Sequence, residues 1–475
     1  MSNEKAVIKT LPDHAIKEID KDGLGFEIYA KALSGVIRGT KESIVTGIFG
    51  EWGSGKTSLM QLVQSELKND PYTITIWFNA WMYEKDEHPI IPLIATIIRE
   101  LEKYANVSNQ LSGAFHSLVN ALRAVAYGFS GSSKIKIPGL AEIEASFVAK
   151  DMVDRSDKLS FDPLLERSLY YSAFEKLGEA KTDKRLKIVI FIDDLDRCFP
   201  DNAVKLLESL KLVLSQNGFV FVMGVARSVI EGYLKYVYSK EYGIGDFESR
   251  LYLDKIIQLP FYIPPHKGRM EKFWLLLLEN LDSQTKKEFE QLQHILYAAV
   301  GSNPRATIRF VNNLIIDRFI NAELSRRDNL QIIPIGFFAI TRSLEQRYYP
   351  VYQALIASDD LCKLIASSKN DNEKLDAITT SGTEQEKIIA SALLKFPDLQ
   401  QLLFSNHGNS WLQDHQMRKT AIEFLEVQRA QDVEQAASEI LDFLREAGWG
   451  VEEESQAVTP SLLERLPRRR PTTNG

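Results

Sequence analysis

Along the first 265 positions, apolar residues alternate between short unbroken runs and stretches where they recur every three or four residues. The runs are IVTGIF before residue 50, TITIWF at 73–78, Ile188 to Ile192, FVFVMGVA at 219–226 and KIIQLPF at 255–261. Such β-branched-rich runs read as strands buried on both faces. The periodic stretches predict helices over about 26–37, 56–67, 90–101, 164–177 and 203–214. Strands and helices alternating in this order make an α/β fold with a doubly wound, parallel, five-stranded sheet. From His266 onward the pattern is helical, with no further strand-length run.

Residues 107–160 break the rhythm. One helix there places Leu111, Phe115, Leu118, Val119, Leu122, Val125 and Phe129 on a single face, followed by SGSSKIKIPG. That face suits the protein's own core, a second copy or protein partner, or a membrane surface; its polar side lacks the basic residues the last would want. The chain thus divides into an α/β domain at 1–265 carrying the 107–160 insert, a helical lid domain at 266–350, a further helical domain at 351–450 and a tail at 451–475. The tail is Glu-rich, then ends LPRRRPTTNG, a charge segregation that predicts disorder.

Composition narrows the class without choosing a chemistry. With 475 residues, 44% hydrophobic and 25% charged, the chain has material for two or three ordinary cores. A formal charge of −7 gives no global basic field, so contact with nucleic acid would need a local patch such as Arg468 to Arg470. Two cysteines, Cys198 and Cys362, exclude a disulfide scaffold and a cysteine zinc site. No apolar leader opens the chain, and the best span candidate, 111–129, is interrupted by His116, Asn120 and Arg123. These features point to a reducing, cytoplasmic setting.

The chemistry enters at residues 50–58, GEWGSGKTS. Gly50, Glu51, Trp52, Gly53, Ser54, Gly55, Lys56, Thr57 and Ser58 join an apolar strand to a helix with the G-x4-G-K-T spacing of a phosphate-binding loop. The glycines let backbone N–H groups converge on phosphate oxygens, and the helix offers its positive end to the same anion. Lys56 is expected to reach the β- and γ-phosphates, Thr57 to ligate Mg²⁺, and Ser58 to help cap the helix. A nucleoside triphosphate is the expected ligand.

A second acidic element supports this. Asp193 and Asp194 follow the run at 188–192, where ligands of open parallel sheets bind. Asp193 is the expected Mg²⁺ partner, and Asp194 is placed to orient or deprotonate the attacking water; Asp196 and Arg197 read as turn residues. An extra strand between the loop strand and the Asp strand would put the chain in the additional-strand NTPase division, which activates water with an acidic residue. There the neighbouring strand ends in a polar γ-phosphate sensor. Arg227, after 219–226, is either that sensor or a structural arginine. Asn303 and Pro304 start a helix as N-cap and first residue, which leaves Arg305 opposing the helix dipole with Arg309 on the same face. The two arginines want an anion: a γ-phosphate or an internal carboxylate.

GIFGEWGSGKTSL, FNAWMYE, IDDLDRC, YLDKIIQLPF and NPRATIRFVNN together resemble the KAP family of P-loop NTPases over about 20–320. The resemblance implies an ATPase core with a helical lid, Lys56 and Thr57 on nucleotide, and Asp193 and Asp194 on Mg²⁺ and water. It also implies roles in bacterial defence or membrane-associated signalling. Many members carry two membrane spans between the loop and the Asp strand; the polar insert here resembles a branch without them. The leading function is an ATP-hydrolysing switch. Its rivals are a nucleotide-gated scaffold, self-associating or partner-binding through the helical half or the insert, and a P-loop kinase.

Overall fold

The computed structural model describes residues 9–86, 88–107, 119, 122, 187–214, 219–243, 248–266, 268–328, 331–369 and 371–428. The expected helix at 164–177, the end of the expected helical domain from 429 on, the tail from 451 and the insert apart from Val107, Val119 and Leu122 lie outside these residues.

Two compact units emerge: Leu11–Asp282 with Val300–Phe310, and Met1–Thr10 with Ser283–Ala299 and Val311–Gly475. The first runs α1 (Glu27–Gly39), β1 (Ile44–Phe49), α2 (Lys56–Leu67), β2 (Thr73–Asn79), α3 (Ile90–Val107), β3 (Lys187–Asp193), α4 (Pro200–Leu214), β4 (Phe219–Val225), α5 (Arg227–Tyr242), α6 (Ser249–Ile256), β5 (Leu259–Tyr262) and α7 (Met270–Leu278). All strand pairs are parallel, in the order β2-β3-β4-β1-β5. β4 therefore lies between β1 and β3, as the expected extra strand requires.

Register brings the functional ends level. Asn79 sits opposite Asp193 on β2 and β3, and Phe49 opposite Val225 on β1 and β4. Every residue of β4 is buried, as is β3 beyond its first position, which explains the continuous apolar runs. Val119 and Leu122 of the insert are buried in the same core cluster as Ile76 and Ile190, so these two serve the protein's own core.

The run at 255–261 is not one strand. Ser249–Ile256 is helical, burying Leu253 and Ile256 one turn apart, and extended chain begins only at Leu259. Gln258 makes the change of direction. Its amide oxygen accepts the Val45 N–H at 2.7 Å and its own N–H donates to Val45 O at 3.1 Å, which pins the chain to β1 before β5 starts. A short apolar run suits a buried helix end as well as a strand.

Among the described residues the second unit is helical. α8 (Ser283–Glu290) and most of α9 (Gln293–Val300) belong to it, as does α10 (Pro304–Asp328) from Val311 on. Further helices fill 335–427, several opened by side-chain caps: Ser358, Asp371, Thr383, Ser405 and Asp414 each accept a backbone N–H from the first turn. Asp317, fully buried, takes a bidentate pair from Arg342 at 2.6 and 2.7 Å. Trp411 is also fully buried and donates its indole N–H to Thr341 Oγ1 at 2.9 Å.

Candidate functional site

The loop after β1 folds as its glycines allow. Gly53 and Gly55 take φ of +82° and +96°, a left-handed conformation costly to other residues, and Gly55 leads directly into α2. Lys56 is 8% exposed, an unusual place for an ammonium unless something holds it. Its Nζ donates to Gly50 O at 2.9 Å and Glu51 O at 3.3 Å, and lies 3.5 Å from Asp196 Oδ2. Thr57 Oγ1 donates to Asp193 Oδ1 at 3.2 Å, which joins α2 to the tip of β3 across β4. Ser58 was expected to help cap α2, yet no side chain caps that helix; its hydroxyl accepts the Ile16 N–H at 3.3 Å instead. Three residues past the cap, it is better placed to serve the segment that crosses α2.

The tip of β3 concentrates negative charge. Asp193 is buried, and burial pushes its carboxyl up to about 6, with Asp194 adding to the rise and the Thr57 hydroxyl opposing it. Asp194 has φ +57°, the one non-glycine left-handed residue among those described. Backbone strain at such a position is tolerated where the surroundings fix it. Here Asn79 Nδ2 donates to Asp194 Oδ2 at 2.8 Å and Arg197 Nε reaches Oδ1 at 2.8 Å. Asp196 does more than shape a turn. Its Oδ2 accepts from Trp52 Nε1 at 3.0 Å and from Ala226 N at 2.8 Å, so one buried carboxylate ties the loop, β3 and the end of β4 together.

The three arginines sit differently. Arg227 opens α5 and is held by Glu231 at 2.7 Å, Asp254 at 2.7 Å and the Tyr262 hydroxyl at 2.5 Å, with its guanidinium over the Phe49 ring. It does not line the cavity beside the loop. Arg305 does line that cavity, and its Nε pairs with Asp13 Oδ1 at 3.0 Å. Arg309, one turn on and 70% exposed, stands 3.9 Å from the same carboxylate. Asn303 is the N-cap, accepting from Ala306 N at 3.1 Å, and it also donates to Trp52 O at 2.7 Å. The start of α10 is thereby fastened to the phosphate loop.

Together these groups enclose a cavity of about 110 Å³. One wall is Gly53 and the stretch from Gly55 to Ser58, another is Asp193, Asp194, Asp196 and Arg197, and a third is the segment Asp13–Ile16 with Arg305. Backbone donors, a helix N-terminus and Lys56 suit a polyphosphate. Thr57 and Asp193 supply two adjacent hard oxygen donors, and Asp193 is a buried carboxylate whose neighbours leave it short of positive charge. Both traits fit Mg²⁺ bound through few protein ligands and completed by phosphate and water. No cluster of three or more metal-ligating side chains occurs among the described residues.

Sequence reasoning named the loop, Asp193 and the α10 arginines but missed three partners. Asn79 was visible only as the polar end of the FNAW strand. Asp13 and the Trp52 indole carried no signal, because each meets its partner across a long sequence separation: 292 positions for Asp13–Arg305 and 144 for Trp52–Asp196.

Residues 26–320 match the KAP family P-loop domain. The "Phage T7 exclusion protein" of Escherichia coli is 26% identical over 305 residues, covering 62% of this chain and 38% of that protein. This chain thus spans well under half of that relative's length. An uncharacterised protein of Methanocaldococcus jannaschii is 29% identical over 168 residues, 30% of this chain and 86% of that one. Among solved structures, the Aeropyrum pernix ORC2 protein in ADPNP–ADP complexes aligns over 82% of this chain and 87% of its own, with 12% identity and a TM-score of 0.32. Among the described residues no helix is long and apolar enough to cross a membrane.

Proposed function

The chain belongs to the KAP family of P-loop domains, and on that premise we propose that it binds and hydrolyses ATP with Mg²⁺ as a conformational switch. The observation that carries this reading is the approach of Thr57 Oγ1 to Asp193 Oδ1 at 3.2 Å, across an intervening strand and beside a buried Lys56. Residues Gly50 to Ser58 form the phosphate cradle. Lys56 exchanges the carbonyls of Gly50 and Glu51 for β- and γ-phosphate oxygens, a charge-assisted contact stronger than the one it gives up. Thr57 and Asp193 hold Mg²⁺, which when bound neutralises charge on the phosphate oxygens. Asp194 orients the attacking water, its own carboxylate fixed by Asn79 and Arg197. Arg305, with Arg309 behind it, passes from Asp13 to the γ-phosphate and returns after hydrolysis. Catalysis of this kind is positioning and charge stabilisation.

One observation favours a slower variant of this reading, a nucleotide-gated scaffold with little turnover. Asp194 accepts from Asn79 at one oxygen and pairs with Arg197 at the other, so a water must compete with both partners for its carboxylate in this conformation. Turnover then requires a partner, a second copy or a trigger to loosen that pair, through the helical half or the 107–160 insert.

Phosphate release separates the possibilities. Lys56→Ala abolishes nucleotide binding, whereas Asp194→Asn keeps binding and stops release. Equal release from the wild type and Asp194→Asn would remove Asp194 from the reaction. A wild-type rate no faster than buffer, with nucleotide-dependent light scattering, selects the scaffold. Similarity to the phage exclusion protein over part of its length supports a role in anti-phage defence. Plaque counts on cells expressing the wild type or Lys56→Ala test it: the wild type lowers them and the variant does not.

A further inference from the structure

Against the phosphate loop lies a buried histidine that the nucleotide reading does not use. His266 is 3% exposed, and its ring meets the fully buried ring of Phe26 edge-on, with centroids 5.5 Å apart. Its Nε2 lies 2.8 Å from Ser54 O, in the middle of the loop. A carbonyl oxygen only accepts, so Nε2 must carry the hydrogen. Nδ1 is then the bare nitrogen, and it is buried without a partner. An orphaned buried acceptor costs on the order of 1–3 kcal/mol, and such groups in native folds call for an explanation.

The explanation lies in the peptide that His266 grips. A trans peptide is planar, with its C=O and N–H pointing in opposite directions. Holding Ser54 O therefore fixes the direction of the Gly55 N–H as well, and of these two residues it is Gly55 that lines the cavity. Gly55 needs this support, since it sits at φ +96° with Phe26 so close that a Cβ would come within 2.7 Å of the ring. The backbone around His266 is anchored in turn. Ile263 N donates to Phe49 O at 2.9 Å, His266 O accepts from Arg269 N at 2.8 Å, and Arg269 donates to Leu24 O at 3.2 Å.

We infer that His266 is a positioning residue of the phosphate loop, its Nε2–H fixing the Ser54–Gly55 peptide so that the Gly55 N–H is presented to the nucleotide's phosphates. The imidazole is suited to this as a neutral donor. Burial holds its pKa below the ordinary histidine value and Arg269 adds to that, against the Ser54 bond and Asp22. The inference rests on the nucleotide reading of this cavity and adds a residue to it.

Calorimetric titration of the full chain with Mg²⁺–ATP and Mg²⁺–ADP, beside melting without ligand, tests it. His266→Phe keeps the ring against Phe26, removes the donor and removes the orphaned nitrogen, so the ligand-free melting temperature stays near the wild type. Affinity for ATP and ADP falls by the same factor, roughly tenfold, as loss of one aligned donor predicts. His266→Gln, whose amide nitrogen can reach the Nε2 position, restores most of it, whereas His266→Asn does not. Unchanged affinity in His266→Phe overturns the inference, as does a glutamine variant that binds no better than asparagine. If His266→Phe fails to fold, the glutamine–asparagine pair decides alone. A folded wild type that binds no nucleotide overturns the reading of the cavity itself, which the variants cannot do.

Discussion

Replacing Asp13 by asparagine should make the protein bind ATP more tightly while barely changing its hold on ADP. Asp13 stands 3.0 Å from Arg305 Nε, and the two side chains are 34% and 35% exposed. At that exposure water screens the pair, so its net worth is about 0.7 kcal/mol rather than the full Coulomb energy. Arg309, at 3.9 Å and 70% exposed, adds little. In the proposed switch ATP must take Arg305 away from Asp13, so this energy is subtracted from its binding. Removing it raises ATP affinity by about threefold, since ~1.4 kcal/mol corresponds to tenfold. Losing a negative charge from the cavity wall also favours any anion, but that effect helps ADP equally and fades with salt. The assay is calorimetry with both nucleotides at two salt concentrations, repeated in an Arg305→Ala background. The ATP-specific gain should vanish there. A gain that persists without Arg305, or a loss of ATP affinity, would refute the exchange of partners.

Three further outcomes follow from the geometry. Asp193→Asn should stabilise the ligand-free protein in a chelator, because a carboxyl raised from 3.8 to about 6 binds more protons folded than unfolded in that window. Wild-type stability therefore falls as pH rises from about 4 to 6. The melting gap between variant and wild type should widen over that range and then level off, at a cost of Mg²⁺-dependent binding; a gap that ignores pH would contradict it. Gly53→Ala should lower the melting point and cut nucleotide affinity at least tenfold: beyond the roughly 1–2 kcal/mol of left-handed strain, its Cβ would fall 2.5 Å from Asn303 Oδ1 and 2.7 Å from Arg305 Cβ. Trp411→Ala should destabilise the helical unit by about 3–5 kcal/mol, seen as an earlier transition in denaturant, since it empties a fully buried site and strips Thr341 of a partner.

Much of the fold was legible because burial writes itself into local pattern. The strands at 188–192 and 219–226 are continuous apolar runs, and a central parallel strand leaves no room for polar positions; the edge strand at 73–78 admits Thr73 and Thr75. The loop was legible because its glycine and lysine spacing is that of a P-loop, and Asp193 because it ends a continuous apolar run. What stayed hidden was pairing. Nothing local distinguishes Asp13 from a surface aspartate, Trp52 from an exposed aromatic or Asn79 from a strand-end amide. Their roles depend on which distant element folds beside them. The strand misplaced at 255–258 failed for a related reason: Ile256 and Ile257 are apolar in either conformation, and the contact that decides, Gln258 to Val45, spans 213 positions.

The link between Asp13 and Arg305 closes a loop of nearly three hundred residues, and that has a consequence for how the protein is made. During synthesis the cradle at 50–58 emerges early, but β3 and the arginine wall emerge much later. On the proposed function, a nascent chain therefore lacks the acidic and arginine walls of the triphosphate site until most of it has left the ribosome. On that reading ligand binding bridges segments made early and late, so its occupancy would report that both walls are in place.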